Sequence, residues 1–179
     1  MSMVDSTEPR LGMPRWPARP ESLDPTGASY LVLCLGRHRY AAEVAAAWTA
    51  QAERIAPTRL IASTGPDDDG PAIDAAFVAS HTGVRVLVVG AQYDVLRTLA
   101  LAREHGLGPA ELQSFVVDAT GSTDLPVYCA HCRATHRMVG EPGGEADCPG
   151  CGRHLEIHPH HSARRGSFLA SDARARELT

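Results

Sequence analysis

The 179-residue chain has no lysine and no asparagine; all 17 of its basic residues are arginine. Such a bias follows from a GC-rich genome, so the abundance of arginine carries no functional weight by itself. Aromatic residues make up only 5%. No apolar run approaches the roughly 20 residues a bilayer-spanning helix needs. The longest runs, near 30–35 and 84–91, are strand-sized. The N-terminus lacks a charged-then-apolar signal architecture. These absences argue against a membrane span and point to a cytoplasmic location, where cysteines serve metals more often than disulfides. Also missing are a G-x-S-x-G elbow, an H-E-x-x-H helix and a Walker loop, so no familiar catalytic constellation is present. Net charge is −4. Residues 1–126 hold 10 Arg and 15 acids, whereas residues 127–179 hold 7 Arg, 6 acids and six of the nine histidines. A mildly basic module beside an acidic domain is not a nucleic-acid footprint.

The informative residues that are there are four cysteines. Cys129 and Cys132 are followed after fifteen residues by Cys148 and Cys151, a C-x2-C…C-x2-C spacing that fits a four-thiolate metal site. Each pair aims two sulfurs at one point, and two pairs close a tetrahedron around Zn²⁺. Pro149, Gly150 and Gly152 suit the tight second turn, and Gly140, Pro142, Gly143 and Gly144 mark a hairpin tip between the pairs. The segment reads as a zinc ribbon. A closed four-cysteine site has no open position for substrate, so the metal is structural. Iron in a rubredoxin-like site is the competing reading, against which stand the short gap and a single aromatic, Tyr128, inside the module. His131, His136, His154, His158, His160 and His161 could form a second metal site, but surface histidines are the commoner case. Cys34, in an apolar run, reads as a small buried hydrophobe.

Before the ribbon, apolar runs alternate with helical periodicity. Strands are expected over Tyr30–Leu35, 59–62, 84–89 and 114–118, and helices over 40–55, 71–81 and 94–105, with 66–70 as an acidic turn. Strand–helix alternation over about ninety residues indicates an α/β domain with a parallel, Rossmann-like sheet. Its first turn, Leu35-Gly36-Arg37-His38-Arg39, lacks the glycine-rich phosphate loop of a dinucleotide site. The expected organisation is an extended N-terminal tail over 1–28, the α/β domain over 29–124, the zinc ribbon over 125–159 and a C-terminal tail over 160–179, of which 167–178 has the composition of a short helix. In the N-terminal tail, Trp16 sits between Pro14 and Pro17. It suits either a docking peptide for a partner or a strap resting on its own domain.

Two resemblances add to this reading. Val86-Leu87-Val88-Val89-Gly90-Ala91, the helix after it, and Gln113-Ser114-Phe115 resemble the last β-α-β unit of ferredoxin reductase-like NAD(P)-binding domains, but without the cysteine and proline that follow this strand in that family. That implies a reductase-type domain that no longer handles hydride. Val127-Tyr128-Cys129-x-x-Cys132, Cys148-x-x-Cys151-Gly152-x-x-Leu155 and His160-His161-Ser162-x-Arg164-Arg165 together resemble the small subunit of bacterial dimethylamine monooxygenase. The resemblance implies a non-catalytic, zinc-binding accessory subunit of a multisubunit, NAD(P)H-dependent amine monooxygenase. Haem, flavin and a [2Fe–2S] cluster would belong to partner subunits, with Arg164, Arg165 and Trp16 as candidate partner contacts. A stand-alone nucleotide-binding reductase-like protein is the alternative, and a zinc-ribbon nucleic-acid adaptor a further one.

Overall fold

A computed structural model describes residues 12–118 and 124–175. Residues 1–11 of the expected N-terminal tail, residues 119–123 at the expected domain boundary, and residues 176–179 lie outside them. Two sheets make up the described molecule. The first has the order β2-β1-β3-β4 and is parallel throughout. It is built from β1 (Ser29–Leu35), α1 (Arg39–Ala52), β2 (Thr58–Ser63), α2 (Pro66–Val78), β3 (Val84–Gly90), α3 (Gln92–Glu104) and β4 (Leu112–Val116). β1 and β3 are covered on both faces, which is why they read as unbroken apolar runs rather than alternating ones. On one face α1 packs Val44, Ala45 and Trp48 against Val32, Leu87 and Phe115. On the other, α2 and α3 pack Ile73, Phe77, Val95 and Leu99 against Leu31, Leu33, Val86 and Val88.

The stretch expected as an acidic turn is instead the first turn of α2. Pro66 occupies the opening of the helix, and Asp67, Asp68 and Asp69 follow it. Proline has no N–H to lose there, and carboxylates are favoured by the partial positive charge of a helix start. The helix kinks at Asp69, two residues before Pro71. The Asp69 carboxylate accepts from the Thr64 backbone N–H at 2.7 Å and from the Thr64 and Ser63 hydroxyls, bonds that hold its pKa below the usual carboxylate value.

The second sheet has the order β6-β5-β9-β8-β7. Its strands are β5 (Asp124–Cys129), β6 (Ala134–Val139), β7 (Glu145–Asp147), β8 (His154–Ser162) and β9 (Ser167–Asp172). The sheet therefore continues well past Pro159. A short helix expected over 167–178 is, through Asp172, the central strand β9. Phe168 and Ala170 alternate into the ribbon core while β9 runs parallel to β5 and antiparallel to β8. The pairing partners of those six residues lie far away in sequence, so their local composition could not reveal a strand. Phe168 also gives the ribbon a buried aromatic that its cysteine-bearing segment lacks.

The N-terminal segment is a strap on its own domain. Leu23 is buried under α1, the Trp48 indole donates to the Glu21 carbonyl at 3.1 Å, and Asp24 pairs with Arg85 at 2.6 Å. Earlier in the strap, Trp16 touches both the α/β core and the ribbon core. The two halves share a further residue: Leu96 of α3 is buried among Leu125, Val127, Met138 and Phe168.

Candidate metal centre

Two hairpins carry the cysteines. β5 ends at Cys129 and β6 begins at Ala134; β7 ends at Asp147 and β8 begins at His154. Each intervening turn repeats one hydrogen-bond scheme. The Arg133 N–H donates to the Cys129 carbonyl at 2.9 Å, and the Gly152 N–H to the Cys148 carbonyl at 2.8 Å. Both donors have left-handed backbone, φ 57° at Arg133 and 69° at Gly152. Glycine adopts that conformation freely, whereas at Arg133 it is strained by roughly 1–2 kcal/mol.

The turns bring four sulfurs together, all within 4.8 Å of one another. Cys129 Sγ lies 3.8 Å from Cys151 Sγ, and Cys132 Sγ lies 3.8 Å from Cys148 Sγ. A tetrahedron with metal–sulfur bonds of about 2.3 Å has sulfur–sulfur edges of about 3.8 Å, so the cage has the size of a Zn(Cys)₄ site. The same distances are far too long for disulfides, and all four thiols are free. Cys129 and Cys148 are buried, and Cys132 and Cys151 form the half-exposed side.

The four thiols differ in their surroundings. Burial pushes the Cys129 thiol up, but N–H donation from Cys132 and His131 outweighs it and leaves the net shift downward. Burial raises Cys132 and Cys148. At Cys151 the Arg153 N–H pulls down, but burial and the sulfurs of Cys148 and Cys129 leave the net shift upward. A divalent metal bound among the four sulfurs would favour the thiolate form of each. The cluster can hold a metal such as zinc.

His136 Nε2 lies 3.2 Å from Cys132 Sγ, and the ring covers Gly150, where an added Cβ would come within 2.5 Å of it. Sequence reasoning treated His136 as one of six possible ligands. It is instead a neighbour that can donate to a cage sulfur, a role readable only from its cross-strand position opposite Val127. The other histidines do not converge with it. His154 bridges Asp147 and Glu145 at 2.7 and 2.9 Å, and these two partners raise its pKa. His158 meets Ser171 at 2.8 Å. His161 is held down to about pKa 4 by burial, with Arg103 and His160 adding to it, and its Nε2 is buried without a hydrogen-bond partner. Among the described residues the four cysteines are the one group placed to hold a metal ion.

Residues 126–170 match the family model described as dimethylamine monooxygenase subunit DmmA-like, C-terminal domain. The segment that carries the cage is similar to that domain. The match covers both cysteine hairpins, the turn bearing Arg164 and Arg165, and most of β9. No curated protein matches the chain. Among solved structures the chain is similar to phthalate dioxygenase reductase, described as a modular structure for electron transfer from pyridine nucleotides to [2Fe–2S]. The identity is 13% and the TM-score 0.39, over 68% of this chain; it spans 47% of that reductase, about half its length.

The remaining candidate residues are placed apart from the cage. Arg164 and Arg165 occupy the turn between β8 and β9, with the Arg165 guanidinium 4.2 Å from the centre of the Tyr128 ring. Trp16 is half-buried against its own chain, and its indole N–H donates to Gln92 Oε1 at 3.2 Å. A partner would have to displace it from that seat.

One residue of the ribbon gave no signal in the sequence. Arg137 of β6 reaches from the ribbon to the carboxyl ends of the parallel strands, where ligands of such sheets normally bind. It pairs with Asp94 at 2.9 Å, Asp124 at 2.9 Å and Asp67 at 3.5 Å, and lies 3.8 Å over the Tyr93 ring. Asp67 and Asp94 sit in the first turns of α2 and α3, so the helix starts that would address a phosphate already carry carboxylates. Burial raises the Asp94 pKa, and Arg137 opposes that shift.

Proposed function

We propose that this chain is a zinc-braced accessory subunit of a multisubunit, NAD(P)H-dependent amine monooxygenase of the dimethylamine type, working in the cytoplasm and carrying no catalytic site of its own. The observation that carries the reading is a closed four-sulfur cage of zinc dimensions inside the segment that matches the DmmA-like C-terminal domain. Bound there, Zn²⁺ would supply cross-linking of two hairpins and no reaction centre. The chain's own residues supply the rest of the brace. Cys129, Cys132, Cys148 and Cys151 fix the hairpins, and Leu96 and Trp16 join the ribbon core to the α/β half. Arg137 ties β6 to the starts of α2 and α3. Haem, flavin and the [2Fe–2S] cluster belong to partner subunits, which the surface around Arg164 and Arg165 is suited to meet through forked pairing with acidic groups.

The stand-alone reductase reading is weaker. The mouth of the parallel sheet is lined by Asp67 and Asp94 and filled by Arg137, which disfavours a dinucleotide pyrophosphate there. A nucleic-acid adaptor role is disfavoured by the net charge of −4.

The test is reconstitution. Amine-dependent NAD(P)H oxidation is measured for the haem and reductase subunits with and without this chain, and with Cys148→Ser. The expected result is association and activity only with the zinc-loaded wild-type chain. Oxidation of NAD(P)H or of an amine by this chain alone would falsify the accessory role.

A further inference from the structure

The turn joining β8 to β9 is drawn tightly onto α3. Gly166, φ 60°, sits where a Cβ would lie 2.5 Å from the Leu96 carbonyl oxygen and 2.7 Å from the Ala100 Cβ. Two arginines of α3 complete the docking: Arg97 Nη1 donates to the Arg165 carbonyl at 2.9 Å and Arg103 Nη1 to the Ala163 carbonyl at 3.2 Å. The consequence is a cavity of about 480 Å³ between α3, β6 and this turn, lined by Arg97, Glu104, Thr135, Ser162, Arg164 and Arg165. Three guanidiniums and two hydroxyls face one carboxylate. Elsewhere in the fold, Arg39, Arg85, Arg137 and Arg153 each pair with a carboxylate. Among the described residues none of Arg97, Arg164 and Arg165 does.

We infer that this cavity is a binding site for the phosphate group of a small molecule. It borders the cleft lined by Asp67 and Asp74, with which it shares Arg97 and Glu104, and it goes beyond the proposed bracing role by giving Arg164 and Arg165 a small-molecule ligand. Its charge, three cations less Glu104, matches a dianion. A phosphate monoester carries about −1.5 to −2 at neutral pH and three strong acceptor oxygens. A carboxylate would be satisfied by one forked arginine and would leave the other cations unmatched. Two of the donors are already fixed before a ligand arrives, Arg97 by its bond to the turn and Arg165 by stacking on Tyr128. Thr135, the cross-strand partner of Tyr128, and Ser162 add hydroxyl donors beside them.

The experiment uses the full, metal-loaded chain without partner subunits. Thermal stability and titration calorimetry are followed with inorganic phosphate and with flavin mononucleotide, against sodium acetate and sodium chloride at matched ionic strength. A saturable stabilisation by phosphate or the monoester, absent with acetate, is expected. Arg164 makes no bond that holds the fold among those observed, so Arg164→Gln should leave the ligand-free melting temperature unchanged while weakening phosphate binding about tenfold, the effect of one charge-assisted contact. Arg97→Gln should weaken it at least as much. Tighter binding of the monoester than of inorganic phosphate assigns the source to a cofactor or metabolite; equal binding assigns it to free phosphate. The inference is overturned if acetate or chloride stabilises equally, or if Arg164→Gln binds phosphate as well as wild type. Failure here leaves the accessory role untouched, since that role is read by reconstituted turnover.

Discussion

Replacing Arg137 with alanine should separate the ribbon from the α/β half, and the size of the effect follows from its contacts. The Asp94 side chain is 9% exposed and accepts a hydrogen bond from Arg137. Leaving such a carboxylate without its donor costs about 1–3 kcal/mol. The pairs with Asp67 and Asp124 are roughly half exposed and are worth about 0.2–1 kcal/mol each. Stacking on Tyr93 adds about 0.5–1 kcal/mol. These terms share one side chain and do not simply add, so the expected loss is about 2–4 kcal/mol. For a chain of this size that lowers the melting temperature by roughly 5–15 °C. The pH dependence is diagnostic. With the guanidinium gone, burial and the neighbouring Asp67 and Asp124 carboxylates act on Asp94 unopposed, so its folded pKa climbs further above 3.8. The folded state then holds the proton more tightly than the unfolded state, and stability falls as pH rises through the folded value. The deficit of Arg137→Ala should therefore be largest at neutral pH and shrink on acidification. Adding Asp94→Asn should restore part of the loss, because it removes the buried charge. Urea unfolding of the zinc-loaded chain at two pH values measures all three. A deficit below about 0.5 kcal/mol, the same deficit at both pH values, or full additivity of the two substitutions would refute the reasoning.

Cys148→Ser should abolish stoichiometric zinc and expose the amides of β5–β9 to exchange, while β1 and β3 stay protected; metal analysis and hydrogen exchange read both, and retained zinc would contradict the four-sulfur assignment. Arg133→Gly should relieve its left-handed strain and raise stability by up to about 1 kcal/mol, measured by denaturant unfolding. Gly166→Ala places a methyl against the Leu96 carbonyl and should lose about 2 kcal/mol, seen in the same measurement. His161, held near pKa 4 against an unfolded 6.5, binds fewer protons folded than unfolded between those values. Its contribution is present above pH 6.5 and lost as pH falls towards 4, an effect of about 3 kcal/mol; His161→Phe should flatten that part of the stability–pH curve.

Features that depend on near neighbours along the chain were readable from residue order. Two C-x2-C pairs need only four residues each to define their turns, so the cage was legible from spacing. The apolar runs of β1 and β3 declared themselves because a strand buried on both faces must be apolar at every position. The helices starting at Arg39 and Gln92 were found within a few residues, since helical periodicity is local. Tertiary structure decided the rest. β9 is a strand because β5 and β8 flank it, a fact absent from Ser167–Asp172 itself. The acidic stretch at 67–69 became a helix start through Pro66 and the bonds to Thr64. Arg137 and Arg97 were ordinary arginines among seventeen until the fold set one against Asp94 and the other beside Arg165. Charges act over a few ångströms of space, whatever number of residues separates them along the chain.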